Sequence, residues 1–179
     1  LWGAAMSGKL MGIVIMVSAL FAGAALYYLQ IYGFYEEVRQ DRVMLTSLTS
    51  EAPEAIPADA IQAIDAESSP IRYRACFTTP LSLPFLTESF VMVDNATPRN
   101  APGWFDCFDA AAIGAALESG TALAFLGQKN AAYGVDRIVA ITEDGHGFAW
   151  HELNECGEKS YDGTVIGEQC PPTPDRATD

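Results

Sequence analysis

A stretch of 26 residues without a single charge, Leu10–Tyr35 (LMGIVIMVSALFAGAALYYLQIYGFY), limits this chain more than any other feature. A bilayer core is crossed by about 20 consecutive apolar residues in a helix, and Leu10–Leu29 supplies them. Tyr27, Tyr28, Tyr32 and Tyr35 then cluster where such a helix would leave the hydrocarbon. Tyrosine suits that boundary because its ring stays apolar while its hydroxyl reaches water. Lys9 marks the other end, and the positive-inside bias places it in the cytoplasm. The competing reading is a cleaved export signal, with Lys9 as its charged start and Ala22-Gly23-Ala24 as its cleavage site. Continuation of the apolar run past that site into an aromatic belt favours a retained anchor.

The remainder of the chain differs sharply in charge. All 23 acidic residues follow residue 35, together with nine of the ten basic ones, a net −14. Such a surface repels phosphate backbones and excludes nucleic acid as a partner. It keeps a domain soluble, and it would also suit docking of a basic periplasmic protein.

The four cysteines, Cys76, Cys107, Cys156 and Cys170, all lie beyond the helix. None forms a C-x-x-C pair, so zinc ribbons, thioredoxin-type sites and haem attachment are unsupported. An even number on one side of a membrane helix reads as two disulfides in an oxidising, extracytoplasmic compartment. Of the three possible pairings, Cys76–Cys107 and Cys156–Cys170 close the shortest loops and are favoured entropically. A loop of about 15 residues is worth roughly 3 kcal/mol.

The helix carries small residues on one face. Gly8, Gly12, Ala19 and Gly23 are spaced to line up, and such faces let two helix backbones approach closely in lipid. They are the expected interface with another transmembrane helix, in a homo-oligomer or a larger membrane complex. Small residues are also common in any spanning helix, so the stripe alone decides nothing.

The expected organisation is a cytoplasmic N-terminus (1–9), a transmembrane helix (10–35), a membrane-proximal segment and linker (36–57), a periplasmic domain (58–170) and a disordered tail (171–179). Met6-Ser7-Gly8-Lys9 reads as a translational start. Glu36–Ser50 is expected to extend the helix for a few turns, and the prolines of Glu51–Pro57 suggest a linker. Ile61–Ala66 is ambiguous between helix and strand. Arg72–Phe77 alternates as a strand, with Arg72, Arg74 and Cys76 on one face and Tyr73, Ala75 and Phe77 on the other. Pro80–Pro84 interrupts, and Phe90–Val93 reads as a short strand. Asp106–Ser119 reads as a helix capped by Asp106, with Asp109 in its first turn and Gly120 ending it. Ala122–Gln128, Val135–Thr142 and Gly147–Leu153 read as strands, the last two joined by a Glu143–Gly147 turn. The fold class is therefore α+β: one N-terminal transmembrane helix, then a small extracytoplasmic domain with an antiparallel sheet and a packed helix.

Catalytic motifs are lacking. His146, His151 and Cys156 follow an H-x4-H-x4-C spacing with no standard metal geometry. HELNE, from His151, lacks the second histidine of H-E-x-x-H. No nucleophile elbow, phosphate loop or dinucleotide fingerprint is present. No catalytic, metal or cofactor site is assigned, although an enzyme of unknown reaction using His151 as base remains an alternative. Trp104, Trp150 and Phe148 read as core aromatics, with Trp104 a contact residue should its Pro-Gly-Trp-Phe loop be exposed.

The segments SGKLMGIVIMVSALFAGAALYYLQIYGFYEEV, SPIRYRACF and GFAWHELNEC resemble an uncharacterised family of single-span, periplasm-facing membrane proteins of alphaproteobacteria. The resemblance implies a protein of the bacterial inner membrane and brings no site residue with it. By analogy of layout, the expected function is non-catalytic: an accessory or stabilising subunit of a larger membrane complex such as a respiratory complex. A periplasmic sensor or assembly factor is the alternative.

Overall fold

The computed structural model describes residues 7–157, 160–164 and 170. Most of the expected cytoplasmic N-terminus, including the Met6 start, and the expected tail 171–179 lie outside these residues. The chain divides between Tyr35 and Glu36 into two compact units.

The first unit is helix α1, Gly8–Tyr28, whose final turns widen to π geometry over Leu29–Gly33. Its apolar stretch is long enough to cross a membrane. No residue of α1 is buried within the protein. Its one interior hydroxyl, Ser18 Oγ, donates to the Ile15 carbonyl at 2.9 Å, so the helix presents no unsatisfied side-chain donor to lipid at that point.

The second unit is an antiparallel α+β domain, as expected. Its strands are β1 (Glu36–Glu37), β2 (Val43–Thr46), β3 (Pro53–Ile56), β4 (Asp59–Asp65), β5 (Arg74–Thr78), β6 (Ala122–Ala132), β7 (Val135–Thr142) and β8 (His146–Leu153). Helices α2 (Leu83–Ser89) and α3 (Ala110–Ser119) lie between β5 and β6 in the chain. The main sheet has the order β1-β4-β5-β8-β7-β6, and β2-β3 forms a separate hairpin. Residues 90–93 join the two sheets. Val91 N–H donates to Thr46, while Leu126 N–H donates back to Val91 and Val93 N–H to Ala124, all within 2.9 Å.

Strand alternation sorts the side chains into two layers. Tyr73, Ala75 and Phe77 of the β5 segment pack with Val139, Ile141 and Ala149 on one face, under Val43, Leu45 and Ile56 of the hairpin. The other face carries Trp150 and Phe148. Phe108 meets both edge-on, with ring centroids 6.2 and 6.1 Å away. Gly147 opposes Phe77 in register, and a Cβ there would lie 2.1 Å from the Phe77 ring. Only glycine admits the ring at that point.

Residues 36–57 differ from the expected helical extension and linker. They carry three strands, and Val43 and Leu45 are 3% and 0% exposed in the core. Burial of two alternating apolar side chains outweighs the polar residues between them. Pro53 is tolerated because β3 pairs with β2 alone. Of residues 61–66, all but Ala66 resolve as strand, within β4. Pro84 opens α2 rather than interrupting structure, since the first helical turn needs no proline N–H. In α3 the cap is Asp109, not Asp106. Its carboxylate accepts from Ala111 and Ala112 N–H at 3.0 and 3.1 Å, and Gly120 closes the helix at φ 76°. Residues 104–109 are instead spent on turns that bring Cys107 to Cys76 and Phe108 to Trp150.

Candidate functional site

The unusual part of the domain is a polar row across one end of its core face. Strand β7 reads Val135, Arg137, Val139, Ile141 on that face, a cation in an otherwise apolar series. Register places Arg137 opposite His151 of β8, and His151 stacks on Tyr73 at 4.7 Å between ring centroids. The Arg137 guanidinium carbon lies 4.2 Å from the Tyr73 ring centre, a cation–π contact. Asp65, at the end of β4, completes the row, opposite Glu36 of β1.

Hydrogen bonds fix the protonation pattern. Arg137 Nε–H donates to His151 Nε2 at 3.1 Å, so that nitrogen is an acceptor. His151 Nδ1–H then donates to the Pro70 carbonyl at 2.6 Å. Tyr73 O–H donates to Gln40 Oε1. His151 is 5% exposed. Burial, chiefly, pulls its pKa down to about 4; the Pro70 carbonyl opposes this, and the charges of Arg137 and Arg74 assist. Burial likewise raises the Tyr73 phenol and the Asp65 carboxyl, the latter against the pull of Ala66 N–H, Arg137 and Arg74. At neutral pH the imidazole is neutral, and both of its nitrogens are engaged.

Arg74, 4% exposed, braces the opposite face. Its guanidinium donates to the carbonyls of Ile71, Tyr73, Arg99 and Asn100 at 2.6–3.0 Å and lies 5.8 Å from the Phe108 ring centre. These bonds tie two loops to β5. Disulfides add to the tie. Cys76 is joined to Cys107 and Cys156 to Cys170, with separations of 31 and 14 residues. Loops of those lengths correspond to about 4 and about 3 kcal/mol of chain-entropy stabilisation.

The other residues singled out in the sequence fall apart in space. His146 sits in the exposed β7–β8 turn, with Nδ1 2.9 Å from Asp144 Oδ2, a solvated pair of little energetic weight. Hydrogen bonds from Thr142, and then from His146, hold the Asp144 carboxyl below its usual range. Among the described residues, no three His, Cys, Asp or Glu side chains are grouped to hold a metal ion. Trp150 is fully buried, and its Nε1–H donates to Glu152 Oε1 at 2.6 Å. Phe148 and Trp104 are half-buried. Along α1 and its π-helical end, Tyr27, Tyr28 and Tyr32 are exposed, the last two stacked at 5.8 Å, while Tyr35, past the helix, is half-buried. Gly8, Gly12, Ala19 and Gly23 are exposed too, and a Cβ added at any of the three glycines would meet no atom within 4 Å.

Sequence reasoning did not single out Asp65, Arg137 or Gln40. The available signal was Arg137 itself, a charge at a core-facing position between Val135 and Val139.

These features define a class: an α+β domain stapled by two disulfides, behind an apolar helix fit to anchor it in a membrane. The disulfides suit an oxidising, extracytoplasmic setting. The chain belongs to a family of unknown function, DUF6446, whose profile matches residues 43–171, from β2 through the second disulfide. No curated protein and no solved structure matches it.

Proposed function

We propose that this is a non-catalytic, single-pass protein of the bacterial inner membrane, in the alphaproteobacterial setting its sequence resembles. Its N-terminus would be cytoplasmic and its domain periplasmic. In this reading it is an accessory or stabilising subunit of a larger membrane complex, such as a respiratory complex, held there through α1. The observation that carries the reading is the set of bare glycines on α1. A Cβ added at Gly8, Gly12 or Gly23 would meet open space along α1. Glycine in a helix interior costs about 1 kcal/mol relative to alanine, and close approach of a second helix is what would offset it. Lys9 supports the orientation, and so do the disulfides.

An enzyme using His151 as base is less well supported, because the imidazole is buried and both nitrogens are already bonded. Extraction from the native host in mild detergent, native electrophoresis and mass spectrometry of the bands would test the subunit reading. The expected result is stoichiometric migration with a larger assembly. Migration only as a free monomer, whatever the detergent, would refute it.

A further inference from the structure

Strand β4 is incompletely paired. β1 covers it only at Glu36↔Asp65 and Glu37↔Ile64, with one further bond from Val38 N–H to the Ala63 carbonyl. Its other neighbour, β5, occupies the opposite edge along the strand. Among the described residues, no strand covers the outer edge of β4 beyond Ala63 towards Asp59. With the Ala63 carbonyl taken by Val38, and with the bulge between Asp59 and Gln62 and the positive φ of Ala60 beyond, the open part of that edge is short and centres on Ile61. Residues 61–63 of this strand line a groove of about 810 Å³ together with residues 37–41 and 104–107.

An open sheet edge presents a row of backbone donors and acceptors, and an extended chain satisfies them by adding a strand. The groove walls say which chain. Glu37, Asp41 and Asp106 are exposed along it against one cation, Arg39. Trp104 and Ile61, both half-buried, supply apolar surface. Successive side chains of an added strand point to opposite faces. One set would meet Trp104 and Ile61 while the other reaches the carboxylates.

We propose that the open edge of β4 is a docking site for an extended basic segment of a partner protein, bound by strand addition in the groove that Trp104 lines. The site is independent of α1 and of the subunit reading. Because the usable edge is short, backbone pairing and side-chain charge must both contribute.

The test uses the full-length protein in detergent micelles, isotopically labelled for NMR. The probes are a short peptide of alternating lysine and valine, the same peptide N-methylated on alternate residues, and a glutamate–valine counterpart. The lysine–valine peptide is expected to bind and to shift the Ile61 and Ala63 amide resonances. N-methylation, which removes the pairing donors but keeps the charge, should weaken binding about tenfold or more, the loss of roughly one hydrogen bond or two. Asp41→Lys with Asp106→Lys, both at exposed positions that leave the core intact, should weaken it by a similar factor, and the glutamate–valine peptide should not bind. No binding of the lysine–valine peptide would overturn the proposal. So would binding that leaves Ile61 and Ala63 unmoved, or equal binding of the N-methylated form, which would mean charge attraction without strand addition.

Discussion

Glycines of the domain's hairpins and those of the apolar helix stand in different surroundings. At two hairpin positions of the domain, close packing requires glycine, although Gly114 of α3 stands in open space like the glycines of α1. A Cβ on Gly147 would enter the Phe77 ring, and one on Gly134 would lie 2.4 Å from Gly157 Cα. On α1, Gly8, Gly12 and Gly23 have only open space around them. The first group answers to packing that is already complete. The second group answers to no packing along α1, and the proposed partner helix would give it a role. The same contrast holds for polar groups. His151, Tyr73 and Arg74 are bonded inside the domain, whereas α1 offers a partner little beyond shape.

The largest break in this contrast comes from Gly147→Ala. Phe77 is 3% exposed, so its ring has no room to retreat. Overpacking of this kind costs about 3 kcal/mol. Denaturant unfolding of the full-length protein in detergent, followed by tryptophan fluorescence, should show the midpoint fall accordingly. An unchanged midpoint would mean that the β5–β8 packing is looser than its geometry implies.

Nearly as large is the pH dependence of the polar row. Burial pulls the pKa of His151 in the folded protein down to about 4, from about 6.5 for a free imidazole. The unfolded chain therefore takes up a proton first as pH falls. Stability is fully present above about pH 6.5 and declines towards pH 4, by about 3 kcal/mol in all. Asp65 works in the opposite sense, since its raised pKa lets the folded state accept a proton more readily in acid. His151→Gln, unable to titrate, should flatten the slope between pH 6.5 and 4. A slope that survives the substitution would assign the acid response to other groups.

How much of this was legible in the sequence depended on how local the determinant was. The β7–β8 hairpin is written in its own turn, Glu143-Asp144-Gly145, and α3 ends at Gly120, where sequence placed the stop. The start of α3 was displaced by three residues. Asp106 and Asp109 are both good caps, and only the distant bond from Cys107 to Cys76 decides between them. Helix α2 was missed because Pro84 punctuates a loop and starts a helix equally well. Val43 and Leu45 were hidden among polar neighbours, and their burial depends on a sheet assembled from residues far along the chain. The polar row was the least legible feature. Asp65, Tyr73, Arg137 and His151 come from separate strands or their flanks, and only register makes them neighbours.

The smallest expected effect on the domain is also the sharpest test of the contrast. Gly12→Leu places a bulky side chain where α1 has open space, so it should leave the midpoint of domain unfolding unchanged. Leucine is a better helix former than glycine by nearly 1 kcal/mol, so α1 itself should not be weakened. Any loss must then come from outside the chain. If a second helix packs on this face, the variant should migrate on a native gel at lower mass than the parent protein, while its domain unfolds at the same denaturant concentration. Gly12→Ala, a smaller intrusion, should show a partial version of the same shift. Unchanged migration of both variants would mean that the bare glycines face lipid alone, and the two sets of glycines would then differ in packing without differing in purpose.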